Sequence, residues 1–433
     1  ATIRNTGTKN VNITAKGSVG GLTGQASGES TIKNCFVDGG TVEVGGYSGQ
    51  AGGFIGNING EKSLIHQCHA TCAVSSPSTS TGGFVGTSIG TIENCYSTGN
   101  VSSESDYAGG FVGIQRGGLI KACHSTGDVE GQNGVGGFVG EALRTDGKAG
   151  LILGCYSTGN VKDISASYNN GKVGGFAGKN DSEIKNCYSK GHVTRNSANT
   201  TLTTYGGFCG IIGDYEQGII ENCYALGDVI YESSANPDNK GFTGAFGNAS
   251  TQASDNFFDK DCSNQSTDAL GSASPETTAA MQTQSTFTDA GWDFNTIWKI
   301  DETTNDGYPY IEFREAANTP GLWTGADPND NNWNTPGNWD DGQVPGTGVN
   351  VTIPDTGNDP VISAAASCQN ITIENNGTLT INSNHTLNVT GDFTLNDGGD
   401  FTNNGTLKFS GTACELSDNR TAKSSLGDVI VGN

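Results

Sequence analysis

Over residues 1 to about 260 two phrases alternate, and each sets apolar residues into a short-strand pattern rather than a helical one. The first has the form Gly-Gly-Phe-Val-Gly. It recurs at 52–56, 82–86, 109–113, 136–140, 174–178 and 206–210, with degenerate copies at Gly20-Gly21-Leu22-Thr23-Gly24 and Gly244-Ala245-Phe246-Gly247. An apolar residue thus returns at Leu22, Phe54, Phe84, Phe111, Phe138, Phe176, Phe208 and Phe246, marking eight units.

The second phrase follows each of these and is clearest in Ile92-Glu93-Asn94-Cys95-Tyr96-Ser97-Thr98-Gly99-Asn100-Val101. It repeats around Cys35, Cys68, Cys123, Cys155, Cys187 and Cys223, at steps of 27 to 36 residues. In the eighth copy Asn256-Phe257-Phe258-Asp259 stands where Asn-Cys-Tyr-Ser stood, which puts Phe257 in the cysteine's place, 34 residues after Cys223. A unit of this length holds two or three short strands with turns, the content of one coil of a parallel β-solenoid, or β-helix. Coils stack at the inter-strand distance of ~4.8 Å, so eight make a rod of roughly 40 Å in which phenylalanines and cysteines form ladders. Strict alternation puts Ile92 and Asn94 on one face and Glu93 and Cys95 on the other, unless the chain bends at the asparagine. Length varies most at 101–109, 161–173, 193–205 and 230–241, which are expected to be surface loops that carry any local function.

The period breaks after residue 260. Ser274-Pro275-Glu276-Thr277-Thr278-Ala279-Ala280-Met281 predicts the one short helix, with serine as N-cap and proline in the first turn. Phe287, Trp292, Phe294, Trp298, Tyr308, Tyr310 and Phe313 then cluster, as a mini-core capping the last coil would. From Trp323 a second module opens with Trp333 and Trp339 and becomes period-two at Ile371, Ile373, Leu379, Ile381, Leu387, Val389, Phe393, Leu395, Phe401, Leu407 and Phe409. The Asn-Gly turns at 376–377 and 404–405 punctuate it, and a second, smaller β-solenoid is expected. The domains are therefore 1–260, a solenoid; 261–318, an aromatic cap and linker; and 319–433, a second solenoid module that stops mid-pattern at Val431-Gly432-Asn433.

The paired phrases G-G-F-V-G and I-x-N-C-Y-S-T-G-x-V resemble the GLUG repeat of bacterial cell-surface proteins. The stretch from Met281 to Trp298 and Gly307-Tyr308-Pro309-Tyr310 resemble the tail that closes such arrays. GLUG repeats occur in large secreted adhesins and beside the protease domain of some IgA-cleaving metallopeptidases, so the resemblance implies export and display at the bacterial surface without implying catalysis. The Trp323 module more loosely resembles segments of surface proteins exported by the type IX secretion system.

Composition narrows the partners. Of 433 residues 67 are glycine, and Lys plus Arg number 22 against 45 Asp plus Glu, a net charge of −23 that repels nucleic acid. No stretch reaches the ~20 apolar residues of a membrane span, and the single methionine, Met281, predicts a native N-terminus upstream.

No histidine among His66, His69, His124, His192 and His385 opens an H-E-x-x-H motif, so the protease part is not in this chain. Seven of twelve cysteines share one repeat position, which favours free, buried thiols over a disulfide scaffold; Cys72, Cys209, Cys262, Cys368 and Cys414 lie elsewhere. His66, Cys68, His69 and Cys72 have the residue types of a zinc site, but a strand's alternation splits them between faces. Calcium is the one ion for which acidic turns offer candidates, at Asp259-Lys260-Asp261-Cys262-Ser263-Asn264-Gln265 with Asp268 and at Asp327-Pro328-Asn329-Asp330-Asn331, although neither completes the loop pattern.

Facing carboxylates in a groove would make a β-helix a polysaccharide-active enzyme. Instead the acids sit singly, as Asp128 and Asp228 do opposite Asn100 and Asn160, as solvated turn residues, and no loop combines acids with Arg or Lys and aromatics. Outward threonines at 372, 378, 380, 386, 390 and 394 lack the long T-x-T register of an ice-binding face and fit a solvent-facing strand. No catalytic or cofactor-binding residue is expected. The expected function is a non-catalytic extracellular surface protein, a stalk or ligand-binding segment of a large adhesin whose partner is a glycan or protein on another surface. The alternative is a filament subunit that self-associates into fibres.

Overall fold

The computed structural model describes the chain apart from residues 146, 166–170, 198–203, 233, 249, 269, 313–319, 326–329, 341 and 433. It divides into two units, residues 1–314 and 315–433. The strands stack in long parallel sheets, and helix is confined to short segments.

In the first unit each coil crosses the same sheets in turn. Nine three-residue strands, from Thr2–Arg4 through Thr91–Glu93 to Gln252–Ser254, form one sheet in which Ile3, Ile32, Ile65, Ile92, Ile120, Ile152, Ile184 and Ile220 stack in register, with Ala253 last. The chain then bends. The residue before each ladder cysteine has positive φ: 54° at Asn34, 53° at Gln67, Asn94 and Ala122, 61° at Gly154, 52° at Asn186 and 54° at Asn222. This left-handed residue interrupts the alternation, so Ile92 and Cys95 both face inward. Asparagine adopts that conformation at less cost than alanine. Ala122→Asn is therefore expected to raise stability by about 1 kcal/mol, seen as a higher urea midpoint with the slope unchanged; a lower midpoint would contradict the strain.

Inside, Phe54, Phe84, Phe111, Phe138, Phe176, Phe208 and Phe242 form a continuous stack with ring centroids 4.7 to 4.9 Å apart. The glycine ahead of each ring allows the close approach: a Cβ on Gly137 would sit 2.2 Å from the Gly175 carbonyl oxygen. The eighth rung corrects the expectation. It is Phe242, within Gly241-Phe242-Thr243-Gly244, while Phe246 pairs with Ile212 in the following strand and is 39% exposed.

The cysteine ladder is present and all its thiols are free. The backbone N–H of Cys35 donates to Sγ of Cys68, as Cys68 does to Cys95, Cys123 to Cys155, Cys155 to Cys187 and Cys187 to Cys223, at 3.3 to 3.4 Å. The last N–H, of Cys223, donates to Oδ1 of Asn256 at 2.9 Å. Asn256, not Phe257, therefore occupies the cysteine's place, and Phe257 pairs with Tyr224. Burial pushes the thiols of Cys123, Cys155 and Cys187 well above the usual range, which keeps them protonated.

Several expected surface loops begin and end in the stack: Val101–Ser103 and Asp106–Gly109, Val161–Asp163 and Val193–Arg195 are strands. Residues 166–170 and 198–203 of those loops lie outside the described residues.

The cap also departs from expectation. Ser274–Glu276 is a strand paired with Phe257–Asp259, so Ser274 caps no helix. Helix α1 spans Thr278–Met281, with Oγ1 of Thr277 accepting the Ala280 N–H, and a second helix, α2, spans Gln284–Thr288. Met281, Phe287, Trp292, Trp298 and Tyr308 pack against Tyr188, Tyr224, Leu226 and Phe257. The mini-core thus covers the flank of the last coils. Nε1 of Trp298 donates to Asn186 at 3.0 Å and Tyr224 donates to the Pro309 carbonyl at 2.7 Å. Phe294 and Tyr310 are half-buried; Phe313 lies outside the described residues.

The second unit is a narrower solenoid of three parallel sheets, built on Val351–Ile353, Val361–Ile362 and Ala366–Cys368 and their later copies. Its alternating residues fill a core with the buried Trp323, Trp333 and Trp339, and the threonines face outward, half-buried.

Candidate functional site

Three features of the first unit gather reactive or ligand-sized chemistry. The first is an outward row of rings, Phe36, His69, Tyr96, His124, Tyr156, Tyr188 and Tyr224, with centroids 4.7 to 5.7 Å apart and planes within 15°. Because each ring lies flat on the next, the half-buried rings from Phe36 to Tyr156 show their edges to solvent while Tyr188 and Tyr224 are buried under the cap, and the flat faces that a sugar would stack on are already occupied. Burial pulls His124 down to about 4, so it is neutral near pH 7 and stacks as an uncharged ring.

The second is a groove of about 700 Å³ on the face carrying Ala73–Ser76, Val101–Ser103, Val129–Gly131 and Val161–Asp163. One wall is a ladder that the turn asparagines and aspartates build. Oδ1 of Asn100 accepts the Asp128 N–H at 3.1 Å, Oδ1 of Asp128 accepts the Asn160 N–H at 2.8 Å, Oδ1 of Asn160 accepts the His192 N–H at 3.1 Å, and Nδ1 of His192 accepts the Asp228 N–H at 3.1 Å. Asp228 is 7% exposed and accepts hydrogen bonds from Asn264 and Gln265. Asp128 is exposed, as expected of a solvated turn residue, although it also accepts across the coils, whereas Asp228 is buried, contrary to that expectation. Their signal in the sequence is the recurring Gly-Asn-Val, Gly-Asp-Val and Gly-His-Val at 99–101, 127–129, 159–161, 191–193 and 227–229.

The third is a charged cluster at Lys179, which is 2% exposed. Its Nζ lies 3.4 Å from Oε1 of Glu141 and 3.7 Å from Oδ2 of Asp214, and Lys172 reaches the same oxygen at 3.1 Å. The ammonium also lies over the Tyr107 and Tyr215 rings, 4.9 and 5.8 Å from their centroids. Burial raises the Glu141 and Asp181 carboxyls above the usual range. The loop at 213–217 brings acids and an aromatic but no Lys or Arg of its own; sheet register sets it beside Lys172 and Lys179 of the preceding coil, which a reading of single loops does not show. Glu141 and Asp181 are buried and Asp214 is held by lysine, while Glu216 is exposed.

The metal candidates come apart. His66 faces Glu93 at 3.7 Å, His69 contacts Asp38 at 2.9 Å within the ring row, Cys68 lies in the thiol ladder and Cys72 donates to the Gly53 carbonyl. At the first calcium candidate Asp259 accepts N–H groups of Asp261 and Cys262 and the Tyr308 hydroxyl, while Asp268 accepts from Thr243 and Ser272. These carboxylates serve protein donors. At the second, Asp327, Pro328 and Asn329 lie outside the described residues, and Asp330 accepts the Asn332 N–H. Among the described residues no group of three or more His, Cys, Asp or Glu is placed to hold a metal ion.

The GLUG motif matches residues 16–43, 78–102, 169–194 and 201–230, and a domain of unknown function, DUF8693, matches 322–408. A stretch of 101 residues, 23% of the chain, is 38% identical to a protein of Evansella cellulosilytica described as a "Putative Gly-rich membrane protein", of which it covers 11%. No solved structure matches. Four motif matches fall within one stack of coils that share the same isoleucine, cysteine and phenylalanine ladders, and the chain is a GLUG-repeat protein.

Proposed function

We propose that the chain is a non-catalytic extracellular surface protein, a stalk or ligand-binding segment of a large bacterial adhesin. The observation that carries this reading is the GLUG repetition itself: interchangeable coils build a rod that presents one lateral face many times over, the property a projecting surface segment needs. The relative's description as a membrane protein supports attachment to an envelope, and the chain spans only 11% of that relative's length. Among the described residues no helix is long and apolar enough to cross a membrane. A net charge of −23 further suits an exposed, non-aggregating surface.

The test is antibody labelling of intact cells, adherence of a deletion strain, and electron microscopy of the secreted protein. Labelling without permeabilisation and reduced adherence in the deletion strain are expected. Unlabelled intact cells would end the surface reading, and long fibres with an axial repeat of one chain would replace the stalk with a filament subunit.

A further inference from the structure

We infer that the groove beside the Asn100–His192 ladder binds an uncharged linear polysaccharide lying along the solenoid axis. This deepens the adhesin reading and rests on it for its biological meaning. The groove is lined from Thr41 to Ile230, six coil steps, or about 29 Å at ~4.8 Å per step. Its volume of about 700 Å³ lies within the range of ligand sites.

The ladder selects the ligand's chemistry. Oδ1 of Asn100 and of Asn160 is held by the next coil's N–H, which leaves each Nδ2 as a donor. Asp128 gives up Oδ1 in the same way and keeps Oδ2 as an acceptor. Nδ1 of His192 accepts the Asp228 N–H, so in the neutral ring Nε2 carries the proton and donates. The wall therefore reads donor, acceptor, donor, donor at successive coils. Hydroxyl groups, which both donate and accept, can satisfy such a row.

An added peptide strand cannot, because it needs an open strand edge. Here the strands from Ala73–Ser76 to Val193–Arg195 are each paired on both sides by the coils above and below, and of the strands lining the groove only the terminal Val229–Tyr231 has an open edge. Charge disfavours an anion: of the charged residues lining the groove, Asp128 and Glu130 outnumber Lys162, whose ammonium is paired with Glu232 at 2.8 Å, and Glu43 and Glu104 line the adjoining recess, which shares Ser75 and Ser102 with the groove. That recess also includes Tyr47, which is 89% exposed. Its free ring offers sugar C–H groups the flat surface that the outward ring row does not.

The experiment is titration calorimetry of the full chain with neutral oligosaccharides of β-1,4-glucan, xylan and mannan, and with polygalacturonate as the anionic comparison. One neutral series is expected to bind. Tyr47→Ala and Asn160→Asp, the second of which keeps the backbone acceptor and loses the donor, are each expected to weaken binding at least tenfold with unchanged melting temperature. Tyr215→Ala, which alters an exposed ring on another loop, is expected to leave binding as it was. Preference for polygalacturonate, no binding of any neutral series, or full binding by both groove variants overturns the proposal. If the wild-type chain still promotes adherence in those cases, the adhesin reading stands and only the groove assignment falls.

Discussion

Phe138→Ala is expected to cost about 3–5 kcal/mol of stability in the first unit. The ring is fully buried and lies between Phe111 and Phe176 with both centroids 4.9 Å away. Its backbone donates to the Phe176 carbonyl and accepts from Phe111, both at 2.9 Å. These bonds hold the coils at fixed spacing, so the neighbours cannot close on the vacated space and the cavity term remains. In a stack where each coil contacts mainly its neighbours, the loss falls on two interfaces at once, and hydrogen exchange should rise first in the coils on either side. Phe246→Ala, at the exposed position, is expected to stay within about 0.5 kcal/mol. Equal losses at the two sites in urea unfolding would refute the ladder register.

The second large effect concerns the buried charges. Lys179→Met is expected to destabilise by about 3–5 kcal/mol, because it leaves Glu141, 3% exposed, without its cation. Glu141→Gln combined with Lys179→Met is expected to recover most of the loss, since no buried charge then remains at that pair. The pH dependence separates this from simple mispacking. Burial already raises the Glu141 carboxyl, and Lys179 is the main group lowering it. A carboxyl with a raised folded-state value favours folding below its unfolded value of about 4.3, and that contribution is lost as pH rises through the folded value. The single variant should therefore regain stability on acidification from neutral pH, while the double variant should show a smaller change. A single variant whose deficit is constant from pH 7 to pH 5 would rule out the electrostatic account.

The residues that stack on copies of themselves were legible in the sequence. Cys95, Ile92 and Phe111 recur with the same neighbours, so the ladder they join can be read from the repeat. At the last coil the neighbours change, and register is lost there: Phe242 follows one glycine, after Lys240, where the phenylalanine rungs before it follow two, and Asn256 replaces a cysteine, so Phe246 and Phe257 looked equivalent when they were not. The bend at Asn94 was one of two readings that alternation allowed, and the positive φ decides it. Glu141 and Lys179 left no local mark. They stand 38 residues apart and meet because their strands pair Glu141 with Lys179 across two coils. The groove wall was half legible, since its Asn, Asp and His recur beside glycine, but only the cross-coil hydrogen bonds reveal which atoms are left for a ligand.

The interchangeability of the rungs bears on how such a protein changes over generations. Phe84 to Phe111 is one complete turn of 27 residues, and the phrases at its two ends, Gly82-Gly83-Phe84-Val85 and Gly109-Gly110-Phe111-Val112, are identical. Unequal recombination between their coding segments removes or duplicates a whole coil and rejoins the ring stack, the thiol row and the glycine crossings in register. Each event alters reach by about 4.8 Å without calling for a new core, so length in this molecule is a heritable quantity that varies in whole steps.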